Sequence, residues 1–214
     1  SDHNTIIAAT NDGIYKTIDG GATWVVKKSG GAFTDMTFKA VSGTDTVYAA
    51  TTGQFWLSSD MGETWTLIPV PITIGGSANG IRIGVSAANP DKIYLGVLYY
   101  DATTHYGTIY RSDDGGLTFT GVKTQNFPDI AGYNANDPGQ GNYNWAIVVD
   151  PLNADVVYTG SHCVWKSIDG GVTWTQLTNW YAELHTDMHH NIFNPYNPTE
   201  FWQANDGGVW VSSN

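Results

Sequence analysis

The sequence predicts an all-β protein made of short strands joined by tight turns. Two features of its 214 residues support this class: 25 glycines are spread along the chain together with many Asn, Asp and Thr, and residues that favour helices are scarce. Hydrophobic residues make up 41% of the chain, which is enough for a packed core. A third feature, a repeated turn motif, predicts how the strands are grouped.

Charge and cysteine content argue against several classes of function. The chain has 20 acidic and 9 basic side chains, for a formal net charge of −11. Only Arg82 and Arg111 are arginines and no basic stripe exists, so we expect no binding to nucleic acid. No apolar run is long enough to cross a bilayer, so membrane insertion is not expected. The single cysteine, Cys163, excludes a cysteine-rich metal site.

A turn motif, [ST]-x-D-x-G-x-T-[WF], occurs four times without gaps, and an aromatic residue stands four positions before each of its aspartates. An aspartate in a turn accepts hydrogen bonds from backbone N–H groups, glycine adopts backbone angles closed to other residues, and the final ring packs the turn onto a sheet. The motif covers 17–24, 58–65, 112–119 and 167–174, with aspartates Asp19, Asp60, Asp114 and Asp169. We predict that these four aspartates hold hairpins together and are structural, not catalytic.

The motif resembles the Asp-box (BNR) repeat, in which the box joins the third and fourth strands of a β-propeller blade. The resemblance, to propellers of the xyloglucanase and sortilin types, implies four-stranded blades in a parent of about seven. All of 1–214 is then part of one propeller, with three complete and two partial blades. The predicted blades cover 5–28 (partial), 33–69, 79–123, 143–179 and 186–214 (partial). Asn214 stands where a fifth box aspartate would fall, so we expect the chain to be part of a longer propeller.

One face of such a propeller carries the longer loops, at 69–79, 99–107, 123–144 and 178–187. This face, called the long-loop face below, lies opposite the boxes and is rich in aromatic and amide groups. Aromatic rings stack on sugar rings, and amides bind sugar hydroxyls. Packing of each ring against its own loop is an equally good alternative. The predicted ligand-binding residues are Tyr99, Tyr100, Tyr106, Tyr133, Trp180, Tyr181, His185 and His162.

Two carboxylates on this face are candidates for catalysis. The segment 204–210, Ala-Asn-Asp-Gly-Gly-Val-Trp, resembles a T/N-D-x-G-G-x-[YW] stretch of xyloglucanase-type Asp-box glycoside hydrolases, in which the aspartate is catalytic. The resemblance implies this role for Asp206, and the alternative is turn chemistry alone. A second carboxylate is needed across the cleft. Asp187 is one candidate, and blades outside this chain are the other source.

Histidines cluster beside Asp187. His185, Asp187 and His189 alternate, so on an extended strand they share one side and could ligate a metal. However, Ile81 and Trp145 align with His189 in other blades and are apolar. A hydrogen-bonded polar cluster is therefore the favoured interpretation, and we expect no metal and no other cofactor.

Two functions stay open on this evidence. The first is an extracellular propeller module that binds a polysaccharide or an extracellular protein on its long-loop face, besides the rest of its own propeller. The alternative is part of a xyloglucanase-like glycoside hydrolase. A sialidase is disfavoured, because that family uses three arginines and this chain has two. The low lysine content, acidic balance and abundant Thr, Asn, Gly and Trp resemble secreted bacterial carbohydrate-active proteins. An extracellular or cell-surface location is expected.

Overall fold

The computed structural model describes residues 3–72, 77–100, 105–124, 128–133, 143–179 and 184–212. Within these ranges the chain forms strands and turns in five antiparallel sheets, each made of strands that are consecutive in sequence. We call them blades 1 to 5. Their strands are β1 (Ile6–Ala9), β2 (Gly13–Thr17) and β3 (Val25–Ser29) in blade 1; β4 (Phe33–Phe38), β5 (Val47–Thr51), β6 (Phe55–Ser58) and β7 (Thr66–Ile68) in blade 2; β8 (Ser77–Val85), β9 (Ile93–Tyr100), β10 (His105–Ser112) and β11 (Thr120–Lys123) in blade 3; β12 (Ala146–Val149), β13 (Val157–Gly160), β14 (Val164–Ser167) and β15 (Thr175–Gln176) in blade 4; β16 (Met188–Asn194), β17 (Asn197–Asn205) and β18 (Gly208–Ser212) in blade 5.

The predicted fold class is confirmed. Blades 2, 3 and 4 have four strands, and blades 1 and 5 have three. The first strands β4, β8, β12 and β16 contact one another in succession, so the blades stand side by side around a common axis. Within the described ranges, no helix has the length and apolarity needed to cross a bilayer.

The core lies between the faces of adjacent blades, as it must when sheets stack face to face. One apolar cluster fills each of three interfaces, and tyrosine and tryptophan rings provide much of the buried volume. The clusters contain Ile14, Phe33 and Ala49 between blades 1 and 2; Tyr48, Phe55, Ile83 and Leu95 between blades 2 and 3; and Tyr94, Leu98, Trp145 and Trp165 between blades 3 and 4.

Two strand glycines in blade 3 make room for Trp145. Its indole Nε1 donates a hydrogen bond to the carbonyl of Gly96 at 2.8 Å. A Cβ atom on Gly107 would lie 2.6 Å from Cη2 of Trp145 and 2.8 Å from Cγ1 of Ile130. Glycine within a strand usually weakens it, and here the close approach of the indole explains its presence.

The four motif turns share one pattern of hydrogen bonds. In blade 4, Oδ1 of Asp169 accepts from Ser167 Oγ at 2.8 Å and from the Thr173 amide at 2.9 Å, while Oδ2 accepts from Thr173 Oγ1 at 2.6 Å. Gly170 and Gly171 have φ of +73° and +87°, a region open to glycine at little cost. Equivalent bonds surround the other three aspartates, Asp19, Asp60 and Asp114.

These turns also contact the connections between first and second strands, which lie on the same face of the protein. The amide of Gly115 donates to the carbonyl of Asp91, which lies in the connection between the first and second strands of the same blade. Salt bridges cross between neighbouring blades on this face, from Lys39 to Asp91 at 2.5 Å and from Lys92 to Asp155 at 2.6 Å. First-to-second connections and motif turns therefore share a face, and second-to-third connections lie at the opposite edge of each blade.

The β9–β10 hairpin is longer than predicted. The sequence pattern predicted a loop at 99–107, but the strands run to Tyr100 and resume at His105, which pair with each other. Only 101–104 remain between them, and these lie outside the described residues.

Candidate functional site

Strand register places Asp187 and Asp206 at the same end of blade 5. Met188, the first residue of β16, pairs with Asn205, the last residue of β17. Asp187 precedes the first strand of the blade and Asp206 follows the second, so the two residues lie at the same end of the blade. The β17–β18 connection is a second-to-third connection, so this end lies opposite the motif turns.

The turn that carries Asp206 is held by the side chain of Asn205. Its Oδ1 accepts hydrogen bonds from the amide of Gly207 at 2.9 Å and from Nε1 of Trp210 at 3.1 Å, and its Nδ2 donates to the carbonyl of His185 at 2.8 Å. Gly207 has no room for a side chain, because a Cβ there would lie 2.5 Å from Cβ of His185. These contacts fix the backbone on both sides of Asp206.

The carboxylate of Asp206 is exposed and is oriented by a histidine. Nε2 of His189 lies 2.7 Å from Oδ1 of Asp206, and the two side chains are 38% and 42% exposed. The ring of Tyr143 meets the His189 ring edge-on, with centroids 5.0 Å apart. Among the described residues, no donor reaches the second oxygen, Oδ2. This carboxylate is therefore held through one oxygen and can offer the other to a ligand.

Asp187 is more enclosed than Asp206. Its Oδ1 accepts a hydrogen bond from Nδ2 of Asn144, and its Oδ2 accepts from Thr186 Oγ1 at 3.2 Å. Oδ1 of Asn144 in turn accepts from Ser161 Oγ at 2.9 Å, and Nε2 of His162 lies 3.8 Å from Oδ1 of Asp187. Both oxygens of Asp187 are engaged, and the network joins blade 4 to the start of blade 5.

His185, Asp187 and His189 do not share one side of a strand. Asp187 has φ of +66°, so the chain is not extended there, and β16 begins only at Met188. The alternation that suggested a common side does not apply. His189 instead contacts Asp206. Within the described ranges, no three His, Cys, Asp or Glu side chains are placed to hold a metal ion.

Two predicted ligand-binding residues stack on each other in the interior. The rings of Tyr133 and His162 are nearly parallel, with centroids 3.6 Å apart, and His162 is 2% exposed. The carbonyl of Tyr133 accepts hydrogen bonds from Cys163 Sγ at 3.3 Å and from Gln176 Nε2 at 3.1 Å. These contacts hold 128–133 against blade 4.

The other predicted aromatic residues have different positions. Tyr99 is fully buried in β9, so its ring does not face solvent. Tyr100 and Tyr106 lie on the paired strands β9 and β10, and their side chains fall outside the described part of the structure. Trp180 and Tyr181 lie outside the described residues altogether.

A polar pocket that the sequence analysis missed lies where the first strands meet. Its volume is about 250 Å³, and its lining includes Asp35 from β4, Arg82 from β8, and His189, His190 and Asn191 from β16. The available signals were the charged side chains of Asp35 and Arg82 within the strands β4 and β8. A single sequence does not show that four first strands converge.

Asp35 is the most enclosed carboxylate of this pocket. Its oxygens accept hydrogen bonds from the amides of Met36 at 2.8 Å and Ile83 at 2.7 Å. Burial raises the pKa of Asp35 above its ordinary value, although the Ile83 amide and the positive charge of Arg82 act in the opposite direction.

Comparison with known proteins finds similarity in sequence to xyloglucanases and in structure to propeller proteins. No protein-family model matches it. It is 31% identical over 169 residues to a xyloglucanase from Paenibacillus sp, an alignment that covers 73% of this chain. The structure resembles that of a GH74 enzyme from Niastella koreensis, with a TM-score of 0.66 and 19% identity over 100% of this chain. It also resembles YCF48 from Cyanidioschyzon merolae, with a TM-score of 0.59 and 16% identity over 99% of this chain.

These likenesses establish the β-propeller fold, since the structural matches cover nearly the whole chain. The chain spans 16% of the length of the Paenibacillus xyloglucanase and 35% of the Niastella enzyme. It corresponds to part of a propeller in the larger proteins that it resembles.

Proposed function

We propose that this chain forms part of a glycoside hydrolase-like propeller that acts on a β-glucan of the xyloglucan type, with Asp206 as one catalytic carboxylate. The observation that carries the proposal is the geometry of Asp206, which is exposed, held by His189 and fixed in a tight turn on the long-loop face. The 31% identity to a xyloglucanase supports the choice of substrate. The alternative interpretation, a module that only binds, has no comparable support.

In this proposal His189 orients Asp206. The contact of 2.7 Å between Nε2 and Oδ1 holds the carboxylate in one orientation and leaves Oδ2 facing the substrate. A carboxylate so placed acts as a general base toward water or as a nucleophile toward the anomeric carbon. The exposed ring of Tyr143, beside His189, offers a surface on which a sugar can stack.

Glycoside hydrolysis needs a second carboxyl group to protonate the leaving oxygen. Asp187 lies at the same end of the blade, but both of its oxygens are engaged by Asn144 and Thr186. We therefore propose that Asp187 supports the site and that the acid comes from another part of the full-length protein. The chain spans 16% of the Paenibacillus xyloglucanase, so in a protein of that length the acid could lie outside the part that this chain matches.

Further features follow from the same proposal. The four motif turns are Asp boxes with a structural role, since their aspartates are saturated by bonds within the turn. The partner is a polysaccharide, and the location is extracellular or at the cell surface, as the composition suggests.

The test is hydrolysis of a panel of soluble plant and bacterial polysaccharides by the full-length protein, with new reducing ends measured over time. We expect release from xyloglucan or a related β-glucan, and we expect the Asp206→Ala variant to show none, which excludes a contaminating enzyme. No release from any polymer by the wild type would contradict the proposal and favour the binding module.

A further inference from the structure

The turn that carries Asp206 has counterparts in two other blades. It covers 205–208, and turns of the same length cover 10–13 in blade 1 and 51–54 in blade 2. In each of the three, the backbones of the first and fourth residues pair, and two residues connect the second and third strands of the blade. The first residue of the turn is Thr10 in blade 1, Thr51 in blade 2 and Asn205 in blade 5.

A side-chain oxygen at this first position closes each turn. In blade 1, Oγ1 of Thr10 accepts a hydrogen bond from the backbone amide two residues further on, at 3.3 Å. In blade 2, Oγ1 of Thr51 accepts from the amide of Gln54 at 3.1 Å. In blade 5, Oδ1 of Asn205 accepts from the amide of Gly207 at 2.9 Å. Threonine is therefore sufficient for a turn of this kind.

Within the described ranges, Asn205 also reaches residues outside its own turn, whereas Thr10 and Thr51 bond only within theirs. Oδ1 of Asn205 accepts from Nε1 of Trp210 at 3.1 Å, and Nδ2 donates to the carbonyl of His185 at 2.8 Å. Trp56 has the same position in blade 2, five residues after the start of the turn. Its buried Nε1 has no hydrogen-bond partner among the described residues. The blade thus forms without this bond, and the bond in blade 5 needs a further explanation.

The additional bonds fix the turn relative to the chain that leads into β16. Nδ2 of Asn205 makes a second bond, to Oε1 of Gln203 at 3.0 Å, and the two residues are 8% and 2% exposed. With its oxygen and both amide protons engaged, the side chain of Asn205 has one orientation. His185 stands four residues before His189, which contacts Asp206. Asn205 therefore joins the turn to the segment that carries the histidine.

We propose that Asn205 is a positioning residue for catalysis. This role rests on the function proposed above for Asp206. Asn205 fixes the backbone of Asp206 so that one carboxylate oxygen meets His189 at 2.7 Å and the other faces the substrate. A displacement of about 1 Å in a reacting group costs about a hundredfold in rate. Because Asn205 is buried and offers a sugar little surface, it acts on turnover and not on substrate binding.

The test is Asn205→Thr in the full-length protein, which installs the residue that blades 1 and 2 use in the same turn. The turn should close as it does there, without the bonds to Trp210 and His185. We expect kcat on soluble xyloglucan to fall about tenfold to a hundredfold, with KM within about twofold of the wild type. Kinetics are measured at a temperature at which circular dichroism shows the variant to be folded.

A matched control and a second variant support this test. Thr51→Val removes the equivalent turn bond in blade 2 and should leave kcat and KM unchanged. Should Asn205→Thr fail to fold, Trp210→Phe replaces it. That variant keeps an aromatic ring and removes one bond to Asn205, so kcat should fall about threefold to tenfold.

Wild-type kcat in folded Asn205→Thr would overturn the positioning role, and so would a raised KM at unchanged kcat. A loss of kcat in Thr51→Val as large as that in Asn205→Thr would do the same, because it would mark a general effect of loosened turns. Asp206→Ala in the same assay separates the two proposals. If it is inactive, the hydrolysis proposed at Asp206 stands whatever the result at Asn205. If it retains activity, or if the wild type has none, the proposed function fails and the role of Asn205 fails with it.

Discussion

Replacing Asp169 by alanine tests the structural role of the motif turns. The carboxylate of Asp169 accepts four hydrogen bonds, from Ser167 Oγ at 2.8 Å, the Val172 amide at 3.1 Å, the Thr173 amide at 2.9 Å and Thr173 Oγ1 at 2.6 Å. The turn is largely exposed, so each bond contributes at the low end of the usual range, about 0.5 kcal/mol. The expected loss is about 2 kcal/mol.

For a chain of this size, such a loss lowers the unfolding temperature by about 4–8 °C. Thermal unfolding at neutral pH, followed by circular dichroism, measures it. Asp169→Asn is the matched control, because the amide keeps one acceptor oxygen and should show a smaller loss. Since the turn lies at the edge opposite Asp206, activity on polysaccharide at a temperature where both forms are folded should be unchanged. An unaltered unfolding temperature, or lost activity in a stable variant, would refute the reasoning.

Three further predictions concern stability. The aspartates of the first three motif turns have pKa values lowered to about 2 by hydrogen bonds within the turn. Their folded pKa lies below the unfolded one, so they stabilise the fold above about pH 4. That contribution should disappear as pH falls toward 2, and melting curves between pH 5 and 2 that show no decline would contradict it. Gly107→Ala should cost about 1–3 kcal/mol by overpacking against Trp145, whereas Gly80→Ala, with 3.9 Å to its nearest neighbour, should cost much less in the same denaturant titration. Met61 has φ of +57° where the other turns have glycine, so Met61→Gly should raise stability by about 1 kcal/mol, and a lower unfolding temperature would argue otherwise.

The fold could be predicted because its signals are local. Each motif turn is stabilised within eight residues, by bonds such as those from Ser112 and Thr118 to Asp114. Short strands between such turns pair with their sequence neighbours, so the number of strands in each blade follows from the spacing of the turns.

The candidate site could be predicted only in part. Asp206 belongs to a recognisable local segment, but the interaction with His189 depends on the register of β16 and β17. Asp187 has a positive φ, which is uncommon in residues other than glycine, so its left-handed backbone was not predicted from the sequence. Tyr99 illustrates the remaining difficulty, since an aromatic residue near a predicted loop can equally continue a buried strand.

The pocket at the first strands lay beyond sequence reasoning for a different reason. Asp35, Arg82 and Asn191 are far apart in the chain and belong to three blades. Their proximity results from the stacking of whole blades around an axis. The separate strand patterns contain no information about which residues face one another across it.

The most direct test of the central claim is the turnover rate of the full-length Asp206→Asn variant on saturating xyloglucan, compared with the wild type. The amide preserves shape and the contact with His189, but it removes the charge that a base or nucleophile requires. We predict about a thousandfold loss or more, with an unchanged unfolding temperature. Turnover at the wild-type rate in this variant would contradict a catalytic role for Asp206.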